Sequence, residues 1–230
     1  MTAGAKHFST YDIVMCGMFT ALMAAGAYIK IMIPLGVWQV TFSMQIFVAV
    51  LCGFLMGAGR GFLSVLSYLI VGLCGVPVFA HGGGPGYVLK PTFGFLIGFA
   101  AAASVTGFLY EKAKSRSAVG TMAIAFAGEM AYYACGLVYY YVMFNFFVGT
   151  EAGIGLRELV TVWFLSTVVP DFVLCALAGR LALRLEPYFR SVGNTRSAGN
   201  TRPGKTRTVD DTRSGKTRTV DDTRSGKTRT

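Results

Sequence analysis

The sequence predicts an all-α membrane protein with six transmembrane helices. Hydrophobic residues make up 53% of the 230-residue chain and charged residues only 14%, a balance too apolar for a soluble domain of this size. The apolar residues are gathered into six runs, most of them close to the roughly 20 residues that a helix needs to cross a bilayer. Helices are the natural form for such runs, because lipid offers no partner to an unpaired backbone group. The runs span residues 13–33, 43–58, 61–80, 92–110, 121–148 and 158–185.

Charges are rare inside these runs, which supports each membrane span in turn. The first run carries one charge, Lys30, near its end, and the next three runs carry none. The fifth run carries only Glu129. In the sixth, Asp171 follows Pro170, where proline frees backbone groups and allows a kink. One helical membrane domain over residues 1–190 is the simplest interpretation.

The basic residues between the runs predict the orientation of the chain. With the N-terminus inside, the cytoplasmic segments hold eight Lys and Arg residues and the opposite side holds three, the asymmetry expected of cytoplasmic loops. We therefore expect both termini in the cytoplasm, the chain in the plasma (inner) membrane, and the loop after the third run facing outward. No cleavable signal peptide is evident. The eight residues are Lys6, Arg60, Lys112, Lys114, Arg116, Arg180, Arg184 and Arg190, and the three are Lys30, Lys90 and Arg157.

Residues 191–230 read as a basic tail built on a direct repeat. The unit GKTRTVDDTRS occurs at 204–214 and again at 215–225. Val is the only sizeable apolar residue in each unit, so low hydrophobicity and high charge predict a disordered segment. Contact with anionic lipid or nucleic acid is one interpretation of its charge. A solvated repeat expansion is the simpler one, and we expect no nucleic-acid partner.

The loop after the third run is the most unusual segment of the chain. It lies within GVPVFAHGGGPGYVLKPTFGFLIGF at residues 75–99 and packs four glycines and a proline into residues 81–90. Gly and Pro end both flanking helices and allow backbone conformations that other residues avoid. Non-helical backbone at the edge of a membrane bundle is tolerated where protein buries it or where it lines a cavity. The pattern predicts a lid or pocket wall for a small polar or anionic ligand, and a Gly-rich linker without a ligand is the alternative.

Three polar residues inside or beside the apolar runs are candidates for ligand contact, because polar groups in a bilayer are costly. The carboxylate of Asp171 could accept hydrogen bonds from ligand N–H groups, or it could form a structural ion pair with Lys90 or Arg157. Glu129 could serve in an interior ion pair or face water. Gln45, at the start of the second run, could bind ligand or cap a helix.

The loop itself adds three candidates. His81 is interpreted as a hydrogen-bonding residue of the pocket rather than a metal ligand, because no Cys, His and Asp spacing suggests a metal site. Tyr87 offers a ring and a hydroxyl. Lys90 is the cation best placed to meet a carboxylate, although it could instead extend to the membrane interface.

Two further patterns bear on partners and catalysis. Gly17, Ala21 and Ala25 recur every four residues and share one helix face, where small residues allow another helix to approach closely. That face either docks a partner membrane protein or packs within the bundle. The five cysteines lie in apolar runs without a CxxC pair, so neither a disulfide framework nor a metal site is expected. The chain has no GxSxG, HExxH or Walker A motif, so any ATP hydrolysis must take place in another chain.

Taken together, these segments resemble the BioY family, the biotin-binding substrate-specificity (S) components of energy-coupling factor (ECF) transporters. The resemblance covers most of residues 10–185. Its strongest part is GLCGVPVFAHGGGPGYVLKPTFGFLIGF, which is close to the family signature G-x-PVFAGG…G…L-x-PT-x-G-[FY]-L-I-G-F. Upstream, VTFSMQ resembles the family's ITLQ-type entry to the second helix. Downstream, GxxxYYxxG at 128–136 resembles its fifth-helix pattern.

The resemblance implies a six-helix S-component bundle that captures biotin from outside the cell and catalyses no reaction. It also implies a transmembrane coupling protein and two cytoplasmic ATPases as partners, with the coupling protein docking on Gly17, Ala21 and Ala25. Biotin would be the ligand, not a cofactor, and no metal is implied. The residues expected to contact it are Gln45, Phe79, His81, Gly82, Gly83, Tyr87, Lys90 and Asp171.

The chain departs from the family pattern in helix six, where the Gly before Asp171 and the following lysine are both missing, and at two positions of the loop. The family usually shows PGD-x-x-K in helix six, whereas this chain has VVPDFVLCAL, with Leu174 in place of the lysine. His81 stands where the family more often has Gly or Asn, and Lys90 replaces a common Gly before Pro-Thr. The cation that meets the biotin carboxylate is therefore expected to have moved from helix six to the loop.

Three other functions are alternatives to biotin capture. The missing helix-six lysine favours an S component for another small vitamin-like ligand. A membrane enzyme using His81, Glu129 and Asp171 lacks any recognised catalytic spacing. A membrane scaffold without a ligand would not need so elaborate a loop.

Overall fold

The computed structural model describes residues 9–35, 38–113, 117–147 and 164–199. This part of the chain is mainly helical, with one two-stranded ribbon, a short 3-10 turn and the non-helical Gly-rich loop before that turn. In chain order the elements are α1 (Thr10–Tyr28), β1 (Lys30–Leu35), β2 (Trp38–Ser43), α2 (Gln45–Leu73), the 3-10 turn (Pro85–Leu89), α3 (Phe93–Lys112), α4 (Ala118–Phe146) and α5 (Leu165–Gly199).

The ribbon corrects the expectation of a purely helical chain. The first run was predicted to stay helical through residue 33, but α1 ends at Tyr28, and β1 then pairs antiparallel with β2. Pro34 has no N–H to donate within a helix, and the β-branched residues Ile31 and Ile33 favour extended backbone. The register sets Lys30 opposite Ser43, so the ribbon brings the end of α1 beside the start of α2.

The second helix is a hairpin of two antiparallel arms. Its backbone leaves the helical region at Gly57, where φ is 80° and ψ is 178°. The amide nitrogen of Gln45 lies 2.6 Å from the hydroxyl of Tyr68, although a straight helix would separate these residues by about 35 Å. The chain therefore reverses at Gly57, and the backbone N–H of Ala58 donates to Oε1 of Glu111 at 3.2 Å to hold the turn against α3.

The hairpin turn is also held by α1. Asp12 accepts a hydrogen bond from the backbone N–H of Ser9 at 3.1 Å, which closes the first turn of α1. Its other carboxylate oxygen lies 3.0 Å from the guanidinium of Arg60, which follows the turn. This ion pair ties the start of α1 to the end of the hairpin opposite the Gly-rich loop.

Close packing of α3 on α4 sets the positions of two aromatic rings. A Cβ atom at Gly98 would lie 2.7 Å from the carbonyl oxygen of Tyr132, and one at Gly136 would overlap the ring of Phe95. The absence of side chains at these two positions lets the helices approach closely. Phe95 and Tyr132 are thereby fixed at the interface, 5.4 Å apart between ring centres.

Four of the helices in the described ranges, α1 to α4, are long and apolar enough to cross a membrane. Apolar side chains on their outer faces are exposed, such as Val14 at 63% and Val138 at 65%, as expected for helices in contact with lipid. Helix α5 continues to Gly199, nine residues past the predicted end of the membrane domain. Residues 158–163 of the sixth run and the tail from residue 200 lie outside the described residues.

Candidate functional site

A cavity that opens to the exterior lies beneath the Gly-rich loop, between that loop and helices α2 to α5, with about 610 Å³ of space inside it and its open mouth. Its lining combines aromatic rings with hydrogen-bonding side chains. Four of the predicted ligand-contacting residues line it: Gln45, His81, Tyr87 and Asp171. The lining also includes residues that were not predicted: Ser43, Ala80, Thr92, Phe95, Leu96, Phe99, Tyr132, Tyr133 and Thr167.

Asp171 is the buried acid of the cavity, with 5% of its surface exposed. Its Oδ2 lies 2.6 Å from the hydroxyl of Tyr133, which in turn lies 2.7 Å from Oγ1 of Thr167. An ionised carboxylate can only accept, so the single phenolic proton of Tyr133 goes to Asp171 and Thr167 donates to Tyr133. This chain of hydrogen bonds occupies Oδ2 and leaves Oδ1 of Asp171 as an acceptor for a ligand. Asp171 pairs with neither of its predicted cations in the described part of the chain, and Arg157 lies outside that part.

Gln45 is buried at the start of α2 and offers a second acceptor. Its amide nitrogen lies 2.6 Å from the hydroxyl of Tyr68 and 3.4 Å from the carbonyl of Met23, so both of its N–H donors have partners. Among the described residues, its Oε1 accepts a long hydrogen bond of 3.4 Å from the hydroxyl of Ser43. Like Asp171, Gln45 therefore presents hydrogen-bond accepting capacity to the cavity.

The aromatic wall comes from α3 and α4. Phe99 stacks on Tyr132 with ring centres 5.0 Å apart and an interplanar angle of 19°, and Phe95 lies one helical turn before Phe99. The pair Tyr132-Tyr133 was visible in the GxxxYYxxG motif, and the i, i+4 spacing of Phe95 and Phe99 places both on one helix face. Those two signals were available in the sequence but did not lead to a site prediction.

The Gly-rich loop presents Ala80 and His81 to the cavity at the tip of a tight turn. Phe79 and Gly82 exchange backbone hydrogen bonds of 2.9 and 3.2 Å across this turn. Gly82 has φ of 106°, a conformation that side chains disfavour, so the turn needs glycine here. Phe79 and Gly82, together with Gly83, shape the turn but do not line the cavity.

Phe79 in particular lies behind the pocket rather than in its wall. Only 2% of its surface is exposed, and its ring centre is 5.4 Å from that of Tyr68 and 4.7 Å from that of Tyr87. Its ring would also overlap any side chain at Gly72. Phe79 thus anchors the loop to the second arm of α2.

Side chains from the surrounding elements clamp the backbone of the loop. Tyr28 donates to the carbonyl of Pro77, Lys30 to that of Ala80, Tyr68 to that of Val78 and Tyr139 to that of Val88. These bonds join the loop to α1, β1, α2 and α4. The loop is thereby held over the cavity from several sides.

Lys90 lies beside the cavity and not in its lining. Its Nζ is 3.4 Å from the carbonyl oxygen of His81 and 4.5 Å from the ring centre of Tyr87, a cation–π contact. Partial burial, then the positive charges of Lys30 and Lys90, lower the pKa of His81 below its usual 6.5, so His81 is neutral at pH 7. Burial raises the pKa of Tyr87, and a hydrogen bond from the backbone of His81 partly offsets that effect.

Two other predicted groups do not line the cavity. Glu129 on α4 is fully buried behind the cavity, where its carboxylate interacts with Asp171 and Cys175 of α5. Gly17, Ala21 and Ala25 lie on an exposed face of α1, and a Cβ atom at Gly17 would meet nothing within 4 Å. In the described part of the chain this face does not pack within the bundle.

The arrangement is that of a binding pocket that combines hydrogen-bond acceptors, aromatic rings and nearby cations. Acceptors from Asp171 and Gln45 suit ligand N–H groups, and the aromatic wall suits an apolar ring. Two ammonium groups, Lys30 and Lys90, lie by the loop and suit an anionic group. Among the described residues, no set of three His, Cys, Asp or Glu side chains is placed to hold a metal ion.

Comparisons with known proteins agree on one family. A family model described as the BioY family matches residues 2–191. The chain is 41% identical over 186 residues to a probable biotin transporter of Lysinibacillus sphaericus, covering 81% of this chain and 92% of that protein. It is 35% identical over 176 residues to a biotin transporter of Thermotoga maritima, covering 76% of this chain and 95% of that protein.

A solved structure shares the fold. The S-component for biotin from an ECF-type ABC transporter superposes on this chain with a TM-score of 0.65. The match covers 81% of this chain and 95% of the solved chain at 21% sequence identity. At that identity the likeness establishes the architecture alone.

Proposed function

The chain belongs to the BioY family, and on that premise we propose that it is the biotin-binding S component of an ECF importer. It is a transporter subunit and not an enzyme. The observation that carries the proposal is the cavity beneath the Gly-rich loop, which joins acceptors and aromatic rings inside to cations at the loop. This combination matches biotin, an apolar bicyclic ring with a ureido group at one end and a carboxylate at the other.

The groups of the cavity can be matched to those of biotin. The two ureido N–H groups need acceptors, which Oδ1 of Asp171 and Oε1 of Gln45 provide. The ureido carbonyl needs a donor, which the hydroxyl of Tyr87 or Thr92 can supply. The rings of Phe99 and Tyr132 form a wall for the bicyclic ring. A pocket group left unpaired by an analogue costs about 1–3 kcal/mol, which gives the site its selectivity.

One observation favours a second candidate, an S component for another small vitamin-like ligand. It is the absence of the family's lysine from the last membrane helix, which is α5 in this structure. Leu174 stands where the family has lysine, and its side chain packs on the apolar core and does not line the cavity. No cation from α5 therefore reaches the cavity at that position. Under the biotin proposal the cation of the loop, Lys90, takes over this role.

The membrane arrangement completes the proposal. The two arms of α2 count as separate passes, which with α1, α3, α4 and α5 makes six. This number is supported by the reversal at Gly57 and by the apolar character of α1 to α4. Both termini are proposed in the cytoplasm, as the distribution of Lys and Arg predicts, and the Gly-rich loop faces outward in the plasma membrane, where biotin arrives.

Partner subunits are proposed from the same family membership. A transmembrane coupling protein docks on the exposed small-residue face of Gly17, Ala21 and Ala25, where helices can approach closely. Two cytoplasmic ATPases supply the energy, in keeping with the lack of a Walker A motif in this chain. The tail, residues 191–230, needs no part in binding.

Calorimetric titration of biotin into the purified protein in detergent tests the proposal, with Asp171→Asn measured beside the wild type. We expect tight binding by the wild type and a large loss in the variant, because an amide cannot replace both the charge and the acceptor capacity of the carboxylate. Absence of binding by a well-folded wild type would refute biotin as the ligand and favour the second candidate. Undiminished binding by Asp171→Asn would remove Asp171 from the site.

A further inference from the structure

Two lysines from distant parts of the chain converge on one dipeptide of the Gly-rich loop. The Nζ of Lys30, at the start of β1, donates to the carbonyl oxygen of Ala80. The Nζ of Lys90, at the end of the loop, lies 3.4 Å from the carbonyl oxygen of His81. Ala80 and His81 both line the cavity, so each ammonium group contacts the backbone of a lining residue.

Neither lysine is neutralised by an acidic side chain in the described part of the chain, where the salt bridge recorded joins Arg60 to Asp12. Each ammonium group has three N–H donors, and the contact with a loop carbonyl uses one. Both lysines also act on His81, whose pKa they lower together with its partial burial. The loop side of the cavity therefore holds two positive charges with donors to spare.

The rest of the lining supplies hydrogen-bond acceptors and aromatic rings. Asp171 on α5 and Gln45 at the start of α2 present acceptors, and Phe95, Phe99 and Tyr132 supply aromatic rings. A ligand with N–H groups at one end and an anionic group at the other can place its N–H groups on these acceptors and its anionic group by the two lysines. The anionic end then lies at the loop.

We infer that Lys30 is a specificity-determining residue, which together with Lys90 binds the carboxylate of the ligand at the loop side of the cavity. The inference rests on the proposed function and adds to it a second cation, contributed by the ribbon and not by the loop or by helix six. It also gives the ribbon a role, because the pairing of Lys30 with Ser43 sets the lysine beside the start of α2. Two ammonium groups on one carboxylate compensate for the apolar Leu174 on α5.

Lys30 has a competing role, that of a clamp that merely holds the loop through the carbonyl of Ala80. The two roles differ in their dependence on ligand charge. Loss of a clamp disorders the loop and weakens every ligand alike. Loss of a carboxylate partner weakens an acid but spares its neutral amide.

The test is calorimetric titration of biotin and of biotinamide, its uncharged amide, into full-length protein in detergent. The variants are Lys30→Met, Lys90→Met, the double variant and Lys30→Arg. Lys112→Met is the control, because that lysine lies over the ring of Phe108 at the end of α3, far along the helix from the cavity. Thermal unfolding of each variant verifies that it is folded.

We expect Lys30→Met and Lys90→Met each to weaken biotin about tenfold, and the double variant about a hundredfold, as for loss of charge-assisted hydrogen bonds. Biotinamide should change less than about threefold, Lys30→Arg should retain most of the biotin affinity, and Lys112→Met should match the wild type. Equal losses for biotin and biotinamide in Lys30→Met, or no loss for either, would overturn the inference while leaving the proposed function intact. Failure of the wild type to bind biotin would refute the proposed function and this inference with it.

Discussion

The hydroxyl of Tyr133 donates a hydrogen bond to Oδ2 of Asp171 across 2.6 Å, which joins α4 to α5 inside the cavity. Both residues line the cavity, and Thr167 extends the chain of hydrogen bonds by one hydroxyl. Because one carboxylate oxygen is held in this way, the rotation of Asp171 is restricted and its second oxygen is presented to the ligand. Tyr133 is thus a positioning residue for the acid of the pocket.

Tyr133→Phe should weaken biotin binding about tenfold to a hundredfold. The change removes the donor to a buried carboxylate while keeping the ring, and hydrogen bonds to charged groups contribute about 1.5–3 kcal/mol. Calorimetric titration in detergent measures the effect. Tyr141→Phe is the matched control, since Tyr141 lies on the same helix and is 37% exposed. If Tyr133→Phe bound biotin as tightly as the control, Asp171 would not depend on this bond for its position.

Biotin affinity should rise as the pH falls from about 7.5 to about 5.5, and His81→Asn should lose most of this rise. The pKa of His81 is lowered in the free protein by partial burial, Lys30 and Lys90. A carboxylate bound beside these groups favours the charged imidazole and raises that pKa, so the complex holds more protons than the free protein. Titrations at several pH values, with His81→Asn beside the wild type, measure the slope.

The same pKa fixes the sign of the effect on stability. The unfolded chain holds His81 at its usual pKa of 6.5, above the folded value. Below about pH 6.5 the unfolded state therefore binds more protons than the folded state. His81 thus lowers the free energy of unfolding of the ligand-free protein at acid pH but not at pH 8.

The affinity titrations decide whether His81 senses the ligand. A biotin affinity that is independent of pH, or that rises equally in His81→Asn, would show that His81 does not sense the ligand carboxylate.

Much of the fold could be predicted from the sequence because lipid imposes a strong constraint on length and polarity. The predicted fourth run, 92–110, corresponds to α3 at Phe93–Lys112, and the fifth, 121–148, to α4 at Ala118–Phe146. The ribbon could not be predicted in the same way. Residues 30–35 are mostly apolar, as the last residues of a membrane helix would be. Their extended form depends on pairing with residues 38–43.

The candidate site divides along similar lines. Gln45, His81, Tyr87 and Asp171 stand out in the sequence because polar groups within or beside apolar runs are few and costly. The aromatic wall does not stand out, because the chain contains 18 Phe and 11 Tyr, and only tertiary packing selects those that face the cavity. The role of Lys30 depends on the ribbon and was hidden for the same reason.

Gly57→Ala should lower the free energy of unfolding by about 1–3 kcal/mol, the usual cost of backbone held in a sparsely populated region. Gly57 has φ of 80°, and a Cβ atom there would also meet the carboxylate of Glu111, which holds the hairpin turn. Thermal unfolding in detergent measures the change. Gly59→Ala is the control two residues away, because a Cβ atom there meets nothing within 4 Å. Similar unfolding temperatures for both variants would argue against a strained turn at Gly57.

Gly17→Leu should abolish association with the coupling protein and leave biotin affinity within about twofold of the wild type. The position is exposed on α1, and nothing lies within 4 Å of a Cβ atom there, so a larger side chain fits this chain but blocks the close approach of a partner helix. Copurification with a coexpressed coupling protein and its ATPases measures association, and calorimetry of the same variant measures binding. Val138→Leu controls for enlargement of an exposed apolar side chain elsewhere, since Val138 is 65% exposed on α4. Loss of copurification in Gly17→Leu but not in Val138→Leu would locate the partner on the face of Gly17, Ala21 and Ala25. Equal copurification of the two variants would show that the coupling protein does not dock on that face.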